Sequence, residues 1–113
     1  MALIIKTQEI SEEDFGAIKV KNLFNKTEIE HLSVAMIRVL GVNRKHVNKK
    51  SDEFYYVLEG GGTFTVDDEE PSQVGQGDLI FIPKNTPFVD SGQMTLLVFS
   101  SPRYDVSQIE YLE

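Results

Sequence analysis

No stretch of this chain sustains the 3.6-residue apolar repeat of an amphipathic helix, while short alternating or β-branched runs recur along its length. That contrast constrains the fold more than any other feature. Residues 17–23 alternate apolar and polar side chains, and residues 32–40 form a long, β-branched run. Further runs cover 53–59, 63–67, 78–82, 87–90 and 94–100. They are separated by Gly60-Gly61-Gly62, by the acidic stretch 67–71, by Gly75-Gln76-Gly77, by Pro83-Lys84-Asn85 and by Ser91-Gly92. About eight short strands with turn punctuation predict a sandwich or barrel, in which closure removes exposed strand edges. Residues 11–15 suit one capped helical turn, and the tail 107–112 suits another turn or an edge strand. The stretch 67–70 lacks the spaced oxygen ligands of a calcium loop and is expected to be a hairpin tip.

Composition narrows the chemistry. The 113 residues make one domain, 1–113, with no linker or repeat, and the zero Cys count excludes thiol nucleophiles and Cys-bound metals. Two histidines, His31 and His46, bound any mechanism built on imidazoles. A net charge of −7 argues against nucleic acid as a partner. The first residues are too briefly apolar for a signal peptide or a span, so no membrane partner and a cytoplasmic location are expected.

Two segments do more than pattern strands. The first runs from Gly41 through His46-Val47-Asn48 and Glu53 to Gly60, and the second from Gly75 through Gly77-Asp78 and Pro83 to Phe88. Together, over residues 30–100, they resemble the two motifs of the cupin family. The spacing of His46 to Glu53, the six residues between Glu53 and Gly60, and Gly77-Asp78 followed by Pro83 carry the resemblance. The departures fall on the metal ligands. Asn48 stands where the family has the second His of His-x-His, and Phe88 where the second motif has its His. Asn85 replaces the motif's Gly, Gly92 its Asn, and only four residues separate Gly41 from His46.

The resemblance implies an all-β fold, a cupin-type antiparallel double-sheet β-barrel of jelly-roll character, and a homodimer. It implies a small-molecule ligand, sugar-like or carboxylated, in a barrel whose metal site has degenerated. His46, Glu53 and Asn48 are the residues left to hold a divalent transition metal, weakly or not at all, since such ions want three or four good donors. Without a metal, His46 as base, Glu53 as its partner or as acid and Tyr55 as hydroxyl donor suit an isomerase or epimerase; a metal-dependent lyase or dioxygenase is the other enzymatic reading. The same His46/Glu53 pair is equally readable as a buried structural contact. Arg38, Asn48 and Phe88 are expected to touch the ligand, Arg38 as an anion clamp if its face is the inner one. Arg44, Lys45, Lys49 and Lys50 form either a solvated loop or a basic rim that steers an anion towards His46. His31 is expected at a strand end, away from the site.

Overall fold

A computed structural model describes residues 2–112. After a 3₁₀ turn at Thr7–Glu9, the chain forms β1 (Glu13–Asp14), β2 (Ile18–Phe24), β3 (Ser33–Asn48) and β4 (Asp52–Val66). Then come β5 (Ser72–Gly75), β6 (Leu79–Ile82), β7 (Phe88–Ser101), a second 3₁₀ turn at Val106–Gln108, and β8 (Ile109–Tyr111). All pairings are antiparallel, in the order β1-β2-β3-β7-β4-β5, with β6 also on β4 and β8 also on β3.

Three long strands, β3, β7 and β4, serve two sheets at once. The first half of β3 pairs with β2 and the last residues of β3 pair with β8. Likewise β4 pairs with β6 through residues 53–56 and with β5 through residues 61–64. One layer is therefore β2-β3-β7-β4-β6 and the other β8-β3-β7-β4-β5. The ladder ends at β1 and β5, so this double sheet is not closed by hydrogen bonds into a continuous barrel.

The halves meet at a row of glycines. Gly41 faces Gly92 and Gly92 faces Gly62 across the three strands. Gly92 sits at φ +127°, and a Cβ there would lie 2.6 Å from the Gly61 carbonyl oxygen; one on Gly62 would lie 1.9 Å from the Ser91 oxygen. Backbone approaches backbone too closely for any side chain. This explains why Gly60–Gly62 and Ser91-Gly92 bend strands instead of ending them. Residues 53–59 and 63–66 belong to one strand, and 88–90 and 94–100 to another; Asp67 and Pro87 lie just outside them.

The N-terminal stretch expected to turn helically carries β1 instead, and the tail forms a turn followed by the edge strand β8. Asp67 and Asp68 make a turn, as expected of a hairpin tip. The core between the layers is Val39, Val57, Phe64, Phe88, Leu96 and Val98 with Tyr55, Ile82 and Met94. Among the described residues no helix is long and apolar enough to cross a membrane.

A β-bulge decides which side chains enter this interior. Asn43 faces Asp90 and His46 faces Phe88, so Arg44 and Lys45 together oppose one residue of β7. The extra residue inverts the alternation. Ser33, Ala35 and Ile37 point inward from odd positions, while His46 and Asn48 do so from even ones. Arg38, even but before the bulge, points outward.

Replacing Gly92 or Gly62 by Ala should lower unfolding free energy by about 3 kcal/mol or more, read by urea denaturation. Gly75→Ala, whose Cβ would meet nothing closer than 4.0 Å, should change it by less than about 1 kcal/mol.

Candidate functional site

The layers enclose a cavity of about 80 Å³. The row from Glu53 to Ser100 to Ser33, paired across β4, β7 and β3, gives one wall a polar edge. Below it the rows become apolar, through Val98 and Ala35 and then Leu96 and Ile37. The opposite wall carries His46, Asn43 and Asp90, while β2 adds Ile18, Val20 and Asn22 and the C-terminal segment adds Tyr104, Ile109 and Tyr111.

His46 is held by the bulge itself. Its Nδ1 lies 2.7 Å from the Arg44 carbonyl oxygen. A carbonyl only accepts, so Nδ1 carries the hydrogen and Nε2 is the basic nitrogen. The Phe88 ring sits 4.4 Å from the imidazole centroid. Burial lowers the His46 pKa below its ordinary value, the Arg44 carbonyl partly opposing this, so the ring is neutral at pH 7.

Glu53 accepts hydrogen bonds from Tyr55 Oη at 3.1 Å and Ser100 Oγ at 3.2 Å. Burial raises its pKa, and those bonds hold the rise in check. The Asn48 amide is near enough to lower it as well but makes no well-formed hydrogen bond, leaving Nδ2 buried and unpartnered. Tyr55 is pushed well above its ordinary value by burial and by the carboxylates around it, so it remains a donor. Asp90 is 2% exposed and accepts from Asn43 Nδ2 at 3.0 Å. Burial outweighs that bond, and with a smaller push from the Glu53 charge it raises Asp90 to about 7. The cavity thus gathers a neutral imidazole and two reluctant acids, an arrangement suited to moving protons at neutral pH.

The predicted site residues divide. His46, Glu53 and Tyr55 line one cavity, but no hydrogen bond or ion pair joins the imidazole to Glu53. Asn48 turns its Oδ1 to the Lys50 and Ser51 amides at 3.0 and 2.9 Å, so the oxygen expected to reach a metal or ligand is already committed. Phe88 does not line the cavity; it packs behind it against His46, Tyr55 and Phe64. Arg38 lies outside, bound through Nε and Nη2 to the Glu12 carboxylate at 2.8 and 2.7 Å, because the bulge separates its face from that of His46. His31 is exposed beside β3. The basic stretch is mostly strand, with Lys45 near Asp68, Lys49 paired with Glu110, and Lys50 between Glu30 and Asp105.

A metal of the kind the fold commonly carries does not fit this donor set. His46 and Glu53 have no third ligand, and an aromatic ring packs where another imidazole is needed. Among the described residues no group of three or more His, Asp or Glu could hold an ion.

Asp90, Asn43, Tyr104 and Tyr111 escaped the sequence reading. For Asp90 a signal existed: on the buried alternation of β7, from Phe88 to Ser100, it is the one acid. The tyrosines reach the site only through the fold of the tail, which no local pattern encodes.

Residues 36–99 match the family profile of the Cupin domain, and the chain belongs to that family. An uncharacterized protein of Methanocaldococcus jannaschii is 34% identical over 88 residues, covering 74% of this chain and 70% of that one. Among solved structures, a variant of Streptomyces PAC13 with uridine superposes with a TM-score of 0.88 at 20% identity, covering 100% of this chain and 92% of that one. Pac13 is described as a nucleoside dehydratase. The polyketide cyclase RemF from Streptomyces resistomycificus superposes with a TM-score of 0.80 at 20% identity, covering 100% and 87%. Both structural likenesses are likenesses of fold.

The Asp90 environment carries a signed pH dependence. An acid whose pKa rises from 3.8 to about 7 on folding keeps its proton in the native state after the unfolded chain has lost it. Native stability therefore falls as pH rises through that window and levels off above it, a contribution of roughly 4 kcal/mol. The lowered pKa values of Glu12, Asp14 and His46 act in the opposite sense, so the comparison must be with Asp90→Asn. Urea unfolding between pH 4 and 8 should show the variant gaining on the wild type as pH rises.

Proposed function

We propose that this cupin binds the neutral, hydroxyl-bearing part of a small molecule of sugar-like character in its cavity and moves protons on it without a metal. The carrying observation is the convergence of His46, Glu53, Asp90 and Tyr55 on one buried space, with environments that separate their proton affinities. Among the described residues no Lys or Arg lines the cavity, which favours a neutral group inside it over a carboxylate, because a buried anion without a partner charge is costly. Solved structures of similar fold include a nucleoside dehydratase and a polyketide cyclase, which supports chemistry on oxygenated small molecules as the class.

In this reading His46 Nε2 takes a proton from the carbon beside a carbonyl. A protonated Asp90 or Glu53 gives one to the carbonyl oxygen, making an enediol, and reversal of the two transfers on the neighbouring carbon completes an isomerisation. Tyr55 holds Glu53 in place. A panel of short aldoses and ketoses incubated with the protein in D₂O tests this directly. Loss of the C–H signal beside the carbonyl is expected, slowed about 100-fold or more by His46→Ala in a folded protein and unaffected by chelator. Saturable binding with no exchange would leave a binder without chemistry.

The outer face of the β2-β3-β7-β4-β6 layer supports a second copy of this chain as partner. Two rows run across it, Phe81-Phe54-Phe99-Val34 and Leu79-Tyr56-Leu97-Met36. Phe54, Tyr56, Leu79 and Phe81 are 42%, 39%, 61% and 51% exposed. Those four alone leave roughly 400 Å² of apolar surface in water, about half of what one partner of a standard interface buries. The next row, Glu59-Thr95-Arg38-Lys19, is polar and frames the patch. A sheet apolar on both faces is stable when both are covered. Light scattering should give twice the chain mass for the wild type and a folded monomer for Phe54→Lys; a monomeric wild type at micromolar concentration contradicts the pairing.

A further inference from the structure

The interior cavity shares part of its wall with a second space. Ile18, Asn43 and Tyr111 line it and also line a surface groove of about 320 Å³, whose remaining walls are Phe15, Ala17, Val42 and Arg44. The two spaces are therefore adjoining compartments of opposite character. The inner one is small and carries the carboxyl groups of Glu53 and Asp90. The outer one is four times larger, and among the described residues no carboxylate lines it.

Arg44 gives the groove its charge. It is the bulge residue whose carbonyl positions His46, and its guanidinium lies 4.5 Å from the centroid of the Tyr111 ring. Lys45, Lys49 and Lys50 all approach carboxylates, whereas Arg44, among the described residues, forms no ion pair. A guanidinium laid on an aromatic ring keeps its N–H edge available and loses little freedom when it binds, which suits the paired oxygens of a phosphate or carboxylate. Placing this cation one compartment out from two buried acids sorts a ligand by charge along its length.

We propose that the ligand is bipartite, with its neutral hydroxylated end in the cavity and an anionic group, phosphate or carboxylate, held in the groove by Arg44. The proposal rests on the reading of the cavity as a small-molecule site and adds the charge class of the whole ligand to it. A cavity of about 80 Å³ is small beside the roughly 300–1,000 Å³ of ordinary ligand sites, and the adjoining groove supplies the missing room. It also means that the bulge does two jobs, aiming the imidazole inward and the guanidinium outward.

The test uses inorganic phosphate and, separately, acetate, each titrated at constant ionic strength into ¹⁵N-labelled full-length protein and followed by NMR. Saturable shifts are expected at Val42, Asn43, Tyr111 and the Arg44 side chain. Arg44→Met should weaken binding about tenfold or more, while Lys49→Met, which removes an equal charge from the same segment, should leave it unchanged. Tighter phosphate binding assigns a phosphate ester, and tighter acetate binding a carboxylate. Absence of saturable shifts with either anion up to about 100 mM, or shifts that survive Arg44→Met, overturns the proposal. Neither result bears on proton exchange at His46, so failure of the groove and failure of the cavity reading remain distinguishable.

Discussion

Everything in this molecule depends on three strands being long enough to belong to two sheets and on one row of residues having no side chains where they turn. Gly41, Gly92 and Gly62 stand side by side across β3, β7 and β4. At Gly62 and Gly92 even a methyl group would run into the neighbouring backbone. Because the strands continue through the bend, the two layers are held face to face by a continuous hydrogen-bond ladder. The interior can then be partly hollow, since the layers do not rely on core packing alone to stay together.

The bulge at Arg44 and Lys45 is the second constraint, and it is the link from fold to chemistry. Without the extra residue His46 would share the outward face of Arg38. With it, a neutral imidazole looks into the same space as Glu53 and Asp90, and the carbonyl of the bulged residue selects the tautomer. Burial then drives the imidazole and the carboxyl groups in opposite directions, favouring the uncharged form of each. The site is electrically quiet at rest and able to exchange protons, with Tyr55 and Ser100 restraining Glu53.

Much of this was legible in the sequence. The strand runs, the all-β class and the family motifs were visible because alternation and glycine spacing are local. Motif spacing singles out His46 and Glu53, and alternation adds Tyr55 on the face of Glu53; all three line the one cavity. What failed was parity. A bulge has no sequence signature strong enough to read from one chain, so residue type alone cannot place Arg38 on the inner or outer face. The Asn48 oxygen is taken by the Lys50 and Ser51 amides, contacts that depend on the turn after β3. Glycine clusters look like breaks in sequence because a bend shared by three strands depends on their register, which alternation alone does not fix. The alternation that marks Asp90 as buried runs through Gly92, where the sequence suggests a turn.

The cavity holds protonatable carboxyl groups opposite a neutral imidazole. Titration of ¹³C-labelled carboxyl and ¹⁵N-labelled imidazole groups by NMR measures this directly. Asp90 is expected to titrate near 7 and Glu53 above its ordinary value, with His46 staying in its Nδ1–H form through neutral pH. Ordinary carboxylate transitions near 4 for both acids, with a charged imidazole at pH 6, would contradict it.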